Sequence, residues 1–142
     1  MGLPSEGIKD LLVEAGFVFG GTADWAIYIG KRPDEPKRVI AIYDSGGGSA
    51  NPRWLLDYPS VQIKVRGKDG DYKVAFEQAV IIKNKLLGLP SRDLNGDRWV
   101  QVNMAGGIGF LGFDQNEQPE FVMNFNLIIE PASTPGDNRD PL

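Results

Sequence analysis

Apolar residues recur along this chain with two spacings, and the wider spacing predicts two helices. A short amphipathic helix is predicted over residues 5–16 from one apolar face, made of Ile8, Leu11, Leu12 and Ala15. A longer helix is predicted over residues 71–87, because a wide apolar stripe runs along it and Gly88 and Pro90 follow as a stop. The short helix needs a neighbouring element to pack on, since isolated short helices are marginal in water.

Alternation of apolar and polar residues predicts the strands. In residues 61–66, Val61, Ile63 and Val65 alternate with the polar residues Gln62, Lys64 and Arg66. Residues 120–130 alternate in the same way, so their aromatic and aliphatic face should be buried while Asn124 and Asn126 lie on the opposite face. Four further strands are predicted, the first two pairing as a hairpin, at residues 25–30, 39–43, 99–104 and 108–113.

This order of elements predicts an α+β fold, with one mainly antiparallel sheet packed against one long helix and a short N-terminal helix. Residues 1–130 are expected to form a single domain. Residues 131–142 hold three prolines and no periodic pattern, which predicts an extended, mobile C-terminal tail. The glycine-rich residues 44–49 are predicted to form a flexible loop.

Composition narrows the possible chemistry. The chain has 142 residues, enough for one domain, and its 42% hydrophobic content can fill a core. It contains no cysteine and no histidine, which excludes thiolate metal sites, imidazole ligands and a Ser-His-Asp triad. Any catalyst would have to use carboxylates, lysine, tyrosine or backbone groups. We therefore expect a binding or assembly protein with no catalytic, metal or cofactor site, and not an enzyme.

Local motifs favour no enzymatic reading. Asp44-Ser45-Gly46-Gly47 matches a serine protease sequence superficially, but the chain has no histidine to accept the serine proton. The same glycines lack the Gly-Lys-Ser/Thr of a phosphate-binding loop. Each carboxylate pair sits in a Gly-, Pro- or Asn-rich turn, where Asp ordinarily caps the turn. The pairs are Asp34/Glu35, Asp69/Asp71 and Asp114/Glu117.

Charge is distributed unevenly along the chain, whose formal net charge is −4. Residues 31–85 carry eleven basic and seven acidic side chains, whereas residues 1–30 sum to −3 and residues 86–142 to −5. Such asymmetry suits a protein that meets its own copies, or two partners, through complementary faces. Chance variation on a solvated surface would give a similar pattern, because exposed ion pairs contribute little.

Several short motifs resemble one protein family. They are Ile40-Ala41-Ile42-Tyr43-Asp44-Ser45-Gly46-Gly47, the segment 59–67 that leads into Tyr72 and the long helix, Leu111-Gly112-Phe113-Asp114, and Phe121-Val122-Met123-Asn124-Phe125. Over about residues 5–130 the chain is similar to the small tail terminator proteins of long-tailed bacteriophages, also described as tail-completion or minor capsid proteins. Phe113-Asp114-Gln115 departs from the Arg-Asp-Glu that is more usual there.

The resemblance implies an α+β fold and a homo-oligomeric ring, commonly of six subunits, that caps the tail tube. Such a ring stops tube polymerisation and provides the joint to the head connector. The implied partners are copies of the chain itself, the tail tube protein and a head connector or head-completion protein, and DNA would pass passively through the ring. The implied location is the virion tail at the head–tail junction, and the host cytoplasm during assembly. No membrane partner is expected, because the longest apolar runs fall far short of the ~20 residues that a spanning helix needs.

Six polar residues on predicted strands and turns are our candidates for a subunit or partner interface: Gln62, Lys64, Arg66, Asp114, Asn124 and Asn126. Two other readings stay open. The first is another head-to-tail joining or head-completion ring protein of the same virion. The second is a cytoplasmic enzyme or monomeric binding module that uses a carboxylate or lysine site.

Overall fold

The computed structural model of the chain describes residues 2–51 and 56–131. The described residues form two helices and nine strands: α1 (Pro4–Glu14), β1 (Ala26–Ile29), β2 (Val39–Asp44), β3 (Gly48–Asn51), β4 (Leu56–Tyr58), β5 (Ser60–Arg66), α2 (Tyr72–Leu87), β6 (Arg92–Leu94), β7 (Asp97–Met104), β8 (Gly109–Phe113) and β9 (Pro119–Glu130). The tail predicted over 131–142 lies outside the described residues, except for Pro131, which is buried.

The twelve-residue strand β9 is the centre of the sheet. One edge of β9 pairs with β5 and then, at Ile129, with β4, while the other edge pairs with β8 and then β7. All of these pairings are antiparallel. The sheet extends from β5 through β2 to β1, and the hairpins to β6 and β3 complete it. A single long strand therefore holds four neighbours in register.

The predicted fold class is wrong. Strands account for 41% of the residues and helices for 22%, so the molecule is mostly β, with a curled mixed sheet and two short helices. No single long helix covers the sheet in the described structure, because α1 and α2, of 11 and 16 residues, share that position. The prediction also lacked β4 and β6, which have three residues each and are too short for an alternating pattern to show.

The hairpin predicted from the first two strands is also wrong. Strands β1 and β2 run parallel, with Ala26 opposite Val39 and Ile29 opposite Ile42. Residues 30–38 therefore have to return along the length of β1 before β2 begins. The predicted loop over 44–49 is shorter than expected, because β3 starts at Gly48.

The two predicted alternating strands are confirmed, and they set the position of the core. In β5 and β9 the apolar residues at every second position are buried, among them Ile63, Met123 and Phe125. Both helices supply buried residues to the same cluster, Leu12 from α1 and Ile82 from α2. The other face of the sheet is left to the polar residues of these strands.

Helix α1 is fixed against the sheet at its first turn. The Ser5 hydroxyl donates to Asp44 Oδ2 at 2.6 Å, and the Ser5 backbone N–H donates to Asp44 Oδ1 at 2.9 Å. Gly7 packs so closely on the Trp99 ring that a Cβ would overlap the indole. These contacts stabilise a helix that is too short to stand alone.

Candidate functional site

Four of the six predicted interface residues lie together on the face of the sheet opposite the core, named here the polar face: Gln62, Lys64, Asn124 and Asn126. Gln62 and Asn124 are directly opposite in the β5–β9 register. Asn126 is exposed and its side-chain Oδ1 accepts a 2.7 Å hydrogen bond from the Ser60 hydroxyl. The Lys64 ammonium lies 5.5 Å from the centroid of the Tyr43 ring. Period-2 alternation was sufficient to place these four side chains on one surface.

A wide hollow of about 470 Å³ opens beside this polar face. Ser60 and Asn126 line its near side, and Gly47, Tyr58 and Asn103 line the rest. The lining offers hydroxyl and amide groups and no cluster of charge, which suits contact with a polypeptide more than binding of an ion.

Arg66, expected on an exposed interface, is instead buried, with 3% of its surface accessible. Its Nη2 donates to the carbonyl oxygens of Pro33 and Pro36, each at 2.8 Å, and its Nε donates to that of Lys37 at 3.0 Å. Burial lowers the pKa of the guanidinium, and the nearby Arg32 adds to this effect. The role of Arg66 is internal, because it holds the connection between β1 and β2 on the sheet.

Asp114 does not lie on the polar face either. It begins the turn between β8 and β9, where its Oδ1 accepts hydrogen bonds from the backbone N–H of Asn116 at 2.9 Å and of Gln118 at 3.0 Å. This is the turn-capping role expected of Asp in such a segment.

An exposed aromatic cluster joins the first turns of α2 to β8, and we name it the aromatic surface. Its members are four aromatic residues: Tyr72 (51% exposed), Phe76 (42%), Phe110 (44%) and Phe113 (56%). Tyr72 meets Phe110 edge to face at a centroid separation of 5.0 Å, and both rings rest on the buried Phe121. A contiguous apolar patch of this kind marks an interaction site more often than a neutral surface.

Strand β8 adds an open edge to the aromatic surface. Among the described strands it pairs with β9 alone. Its sequence, Gly-Phe-Leu-Gly-Phe, has neither a charge nor a proline. Natural proteins usually protect an edge strand with one of these features, so this edge is suited to contact with another chain.

A second apolar feature lies on the other flank of α2. Phe17, Val18, Trp25 and Ile81 line one part of an open hollow of about 260 Å³, and Asp24, Gln78 and Lys85 are among its other lining residues. We name it the apolar hollow. Val18 and Ile81 are 52% and 45% exposed. Sequence reasoning missed both apolar features, although Ile81 lies off the buried stripe of α2 and β8 is apolar on both of its faces.

Within residues 2–51 and 56–131, no group of three or more Asp and Glu side chains is placed to hold a metal ion. In that same part of the chain, neither helix has the length and apolar character required to cross a membrane.

Comparison with known families identifies the chain. A family model described as bacteriophage tail terminator protein matches residues 12–131, a span that contains α2 and all the described strands. The chain belongs to the bacteriophage tail terminator family. The resemblance found in the sequence motifs is thereby confirmed.

As a tail terminator, the protein is a structural component of the virion tail that interacts with other tail components. Membership of a structural family favours a role other than catalysis. A search of curated proteins returned no match. This tail terminator therefore has three candidate surfaces for contact with other tail components: the polar face, the aromatic surface and the apolar hollow.

Proposed function

We propose that this tail terminator forms a closed hexameric ring that caps the tail tube, stops its polymerisation and provides the joint to the head connector. DNA passes passively through the ring. One observation supports this proposal above the others: a single subunit presents two unlike apolar features, the aromatic surface and the apolar hollow. Unlike surfaces on one chain produce head-to-tail contacts, which close into a ring when the rotation between subunits allows it.

In this proposal the polar face contacts a different tail component, the tail tube protein. Its residues Gln62, Lys64, Asn124 and Asn126 offer a cation and amide groups on a rigid strand pair. Polar, solvated contacts of this type are common where two preformed proteins meet after each has folded. Arg66 has no part in this contact because its guanidinium is bonded within the chain. Asp114 remains a candidate at the β8–β9 turn.

The test is a tube-growth assay. Purified tail terminator is added to polymerising tail tube protein of the same phage, and tube lengths are measured by negative-stain electron microscopy. We expect tubes that stop growing and carry a ring at one end. Unchanged tube growth, with no ring at either end, would contradict the proposal.

Lys64→Glu tests the polar face in the same assay. Reversing this charge is expected to weaken capping at least several-fold while leaving the unfolding temperature unchanged, because Lys64 is half-buried on the outer face and not in the core. Lys68→Glu is the matched control, since Lys68 is exposed in the turn before α2, off the polar face. Equal capping by both variants would exclude Lys64 from the contact.

A further inference from the structure

The aromatic surface and the apolar hollow lie on opposite flanks of α2 in one subunit. At 100° per residue, Phe76 and Ile81 point about 140° apart around α2. Between them the helix buries Ala75, Ala79 and Ile82 against the sheet. Two neighbours can therefore contact the subunit at the same time, one on each flank of α2.

The aromatic surface is large enough to be the centre of a subunit contact. An aromatic side chain can bury roughly 150–250 Å², and four such rings here are each about half exposed. Together they offer on the order of 400 Å² of apolar area. A stable protein–protein contact buries roughly 800 Å² on each partner, with its most apolar part at the centre.

The apolar hollow is large enough to receive an aromatic ring between its apolar residues, and the polar side chains of Asp24, Gln78 and Lys85 also line it. Its volume is about 260 Å³, whereas an apolar cavity of ~150 Å³ is known to hold benzene. Phe113, on the β8 side, is the most exposed of the large apolar residues at 56%. It stands at the end of β8, next to the turn that leads into β9, and its ring packs edge to face on Phe110 at a centroid separation of 5.3 Å while more than half of the residue stays open to a neighbouring molecule.

We propose that the aromatic surface of one subunit packs on the apolar hollow of the next subunit, with the Phe113 ring inserted between Phe17, Val18 and Ile81. This inference rests on the proposed ring function and names the two surfaces that close the ring. The occupant of each surface is a second copy of this chain. A projecting apolar group and a matching pocket elsewhere on the same molecule make a head-to-tail contact, which a two-fold dimer does not use.

Two charge substitutions separate the two sides of the contact. Phe113→Glu disables the aromatic surface and Ile81→Glu disables the apolar hollow; both residues are exposed in the subunit, so both variants should fold. Tyr72→Glu, at a residue 51% exposed, is a second variant of the aromatic surface. Leu3→Glu is the control, because Leu3 is 47% exposed but lies at the opposite end of α1 from the apolar hollow.

The measurement is sedimentation velocity over a rising concentration series, with circular dichroism to confirm folding. We expect Leu3→Glu to assemble as the wild type does and each interface variant alone to remain a subunit of 15.6 kDa. An equimolar mixture of Phe113→Glu and Ile81→Glu should form a heterodimer and nothing larger, since the mixture contains one intact pair of surfaces. An isologous contact would give no such heterodimer.

The outcomes distinguish this inference from the ring itself. If the wild type forms a ring and the folded interface variants form it equally well, the named surfaces are wrong and the ring stands. If the variants are monomeric but their mixture gives no heterodimer, the head-to-tail pairing is wrong. A wild type that stays monomeric in solution and on tail tubes would overturn the ring and this contact together.

Discussion

At the residue scale, the Asp71 carboxylate accepts three hydrogen bonds, two of them from an arginine. It accepts from Arg38 Nε at 2.7 Å and Arg38 Nη2 at 3.1 Å, and from the backbone N–H of Lys68 at 3.0 Å. The hydrogen bond from Arg38 holds the pKa of Asp71 below its usual range, and Asp71 raises the pKa of Arg38 in return. The pair joins the end of the β1–β2 connection to the start of α2.

This geometry predicts how stability depends on pH. Because the pKa of Asp71 is lower in the folded state, its contribution is fully present above about pH 4 and is lost as pH falls through the lowered folded value. Asp71→Asn should therefore cost about 1–2 kcal/mol of unfolding free energy at pH 7, and the cost should fall as the pH is lowered below about 4. Urea unfolding at a series of pH values measures the difference.

Asp69→Asn is the control for this prediction, because Asp69 is an exposed carboxylate two residues away. Its stability should follow the wild type at every pH. If the difference in unfolding free energy between Asp71→Asn and wild type stays constant from pH 7 to pH 3, the ion pair does not contribute to stability as described.

Individual residues of β5 show what an alternating strand pattern can and cannot predict. Alternation placed Gln62 and Lys64 on the face opposite the core, and the register with Asn124 agrees. Arg66 follows the same alternation but is buried, because carbonyl groups some thirty residues away converge on it. A period-2 pattern predicts the face of a side chain but gives no information on what later covers that face.

At the element scale, the connection over residues 30–38 is held on the sheet by the side chain that it covers, Arg66. It carries two prolines, Pro33 and Pro36, and the backbone carbonyls of both, together with that of Lys37, accept hydrogen bonds from Arg66. The Arg32–Glu120 ion pair ties the same connection to β9. These contacts allow two parallel strands to be joined without a helix between them.

Replacing Arg66 by methionine should free this connection. Without the guanidinium the carbonyls lose their donors, so we expect amide hydrogen exchange in residues 31–38 to rise at least tenfold while exchange in α2 changes little. Arg98→Met is the control, because Arg98 is 48% exposed and pairs with Asp93 at the surface. Exchange that increases equally in α2 and in the connection would indicate global destabilisation and contradict a local role.

Long elements with a clear period were predictable, and short or paired ones were not. The strands β5 and β9 and the helix α2 were all recognised, because each has enough residues for its period to repeat. The three-residue strands β4 and β6 form through pairing with partners that the local sequence does not specify. The parallel direction of β1 and β2 likewise follows from the path of the connection and not from either strand.

At the scale of the whole molecule, the family could be recognised although the fold class could not. The motifs that suggested a tail terminator lie between residues 40 and 125. All of them fall within residues 12–131, the span that the family model matches. The fold-class prediction was wrong because it gave one helix too large a part in the fold and did not recognise the short strands of the sheet. The aromatic surface was also not predicted, since exposure of Tyr72 and Phe113 depends on packing between α2 and β8.

Our central claim is that this chain works by joining copies of itself through two unlike surfaces. The native mass of the purified wild-type protein, measured by mass photometry and sedimentation over a wide concentration range, tests that claim most directly. We expect one closed species of six times 15.6 kDa that does not grow further as concentration rises. A single 15.6 kDa species at every concentration, or open filaments of indefinite length, would contradict it.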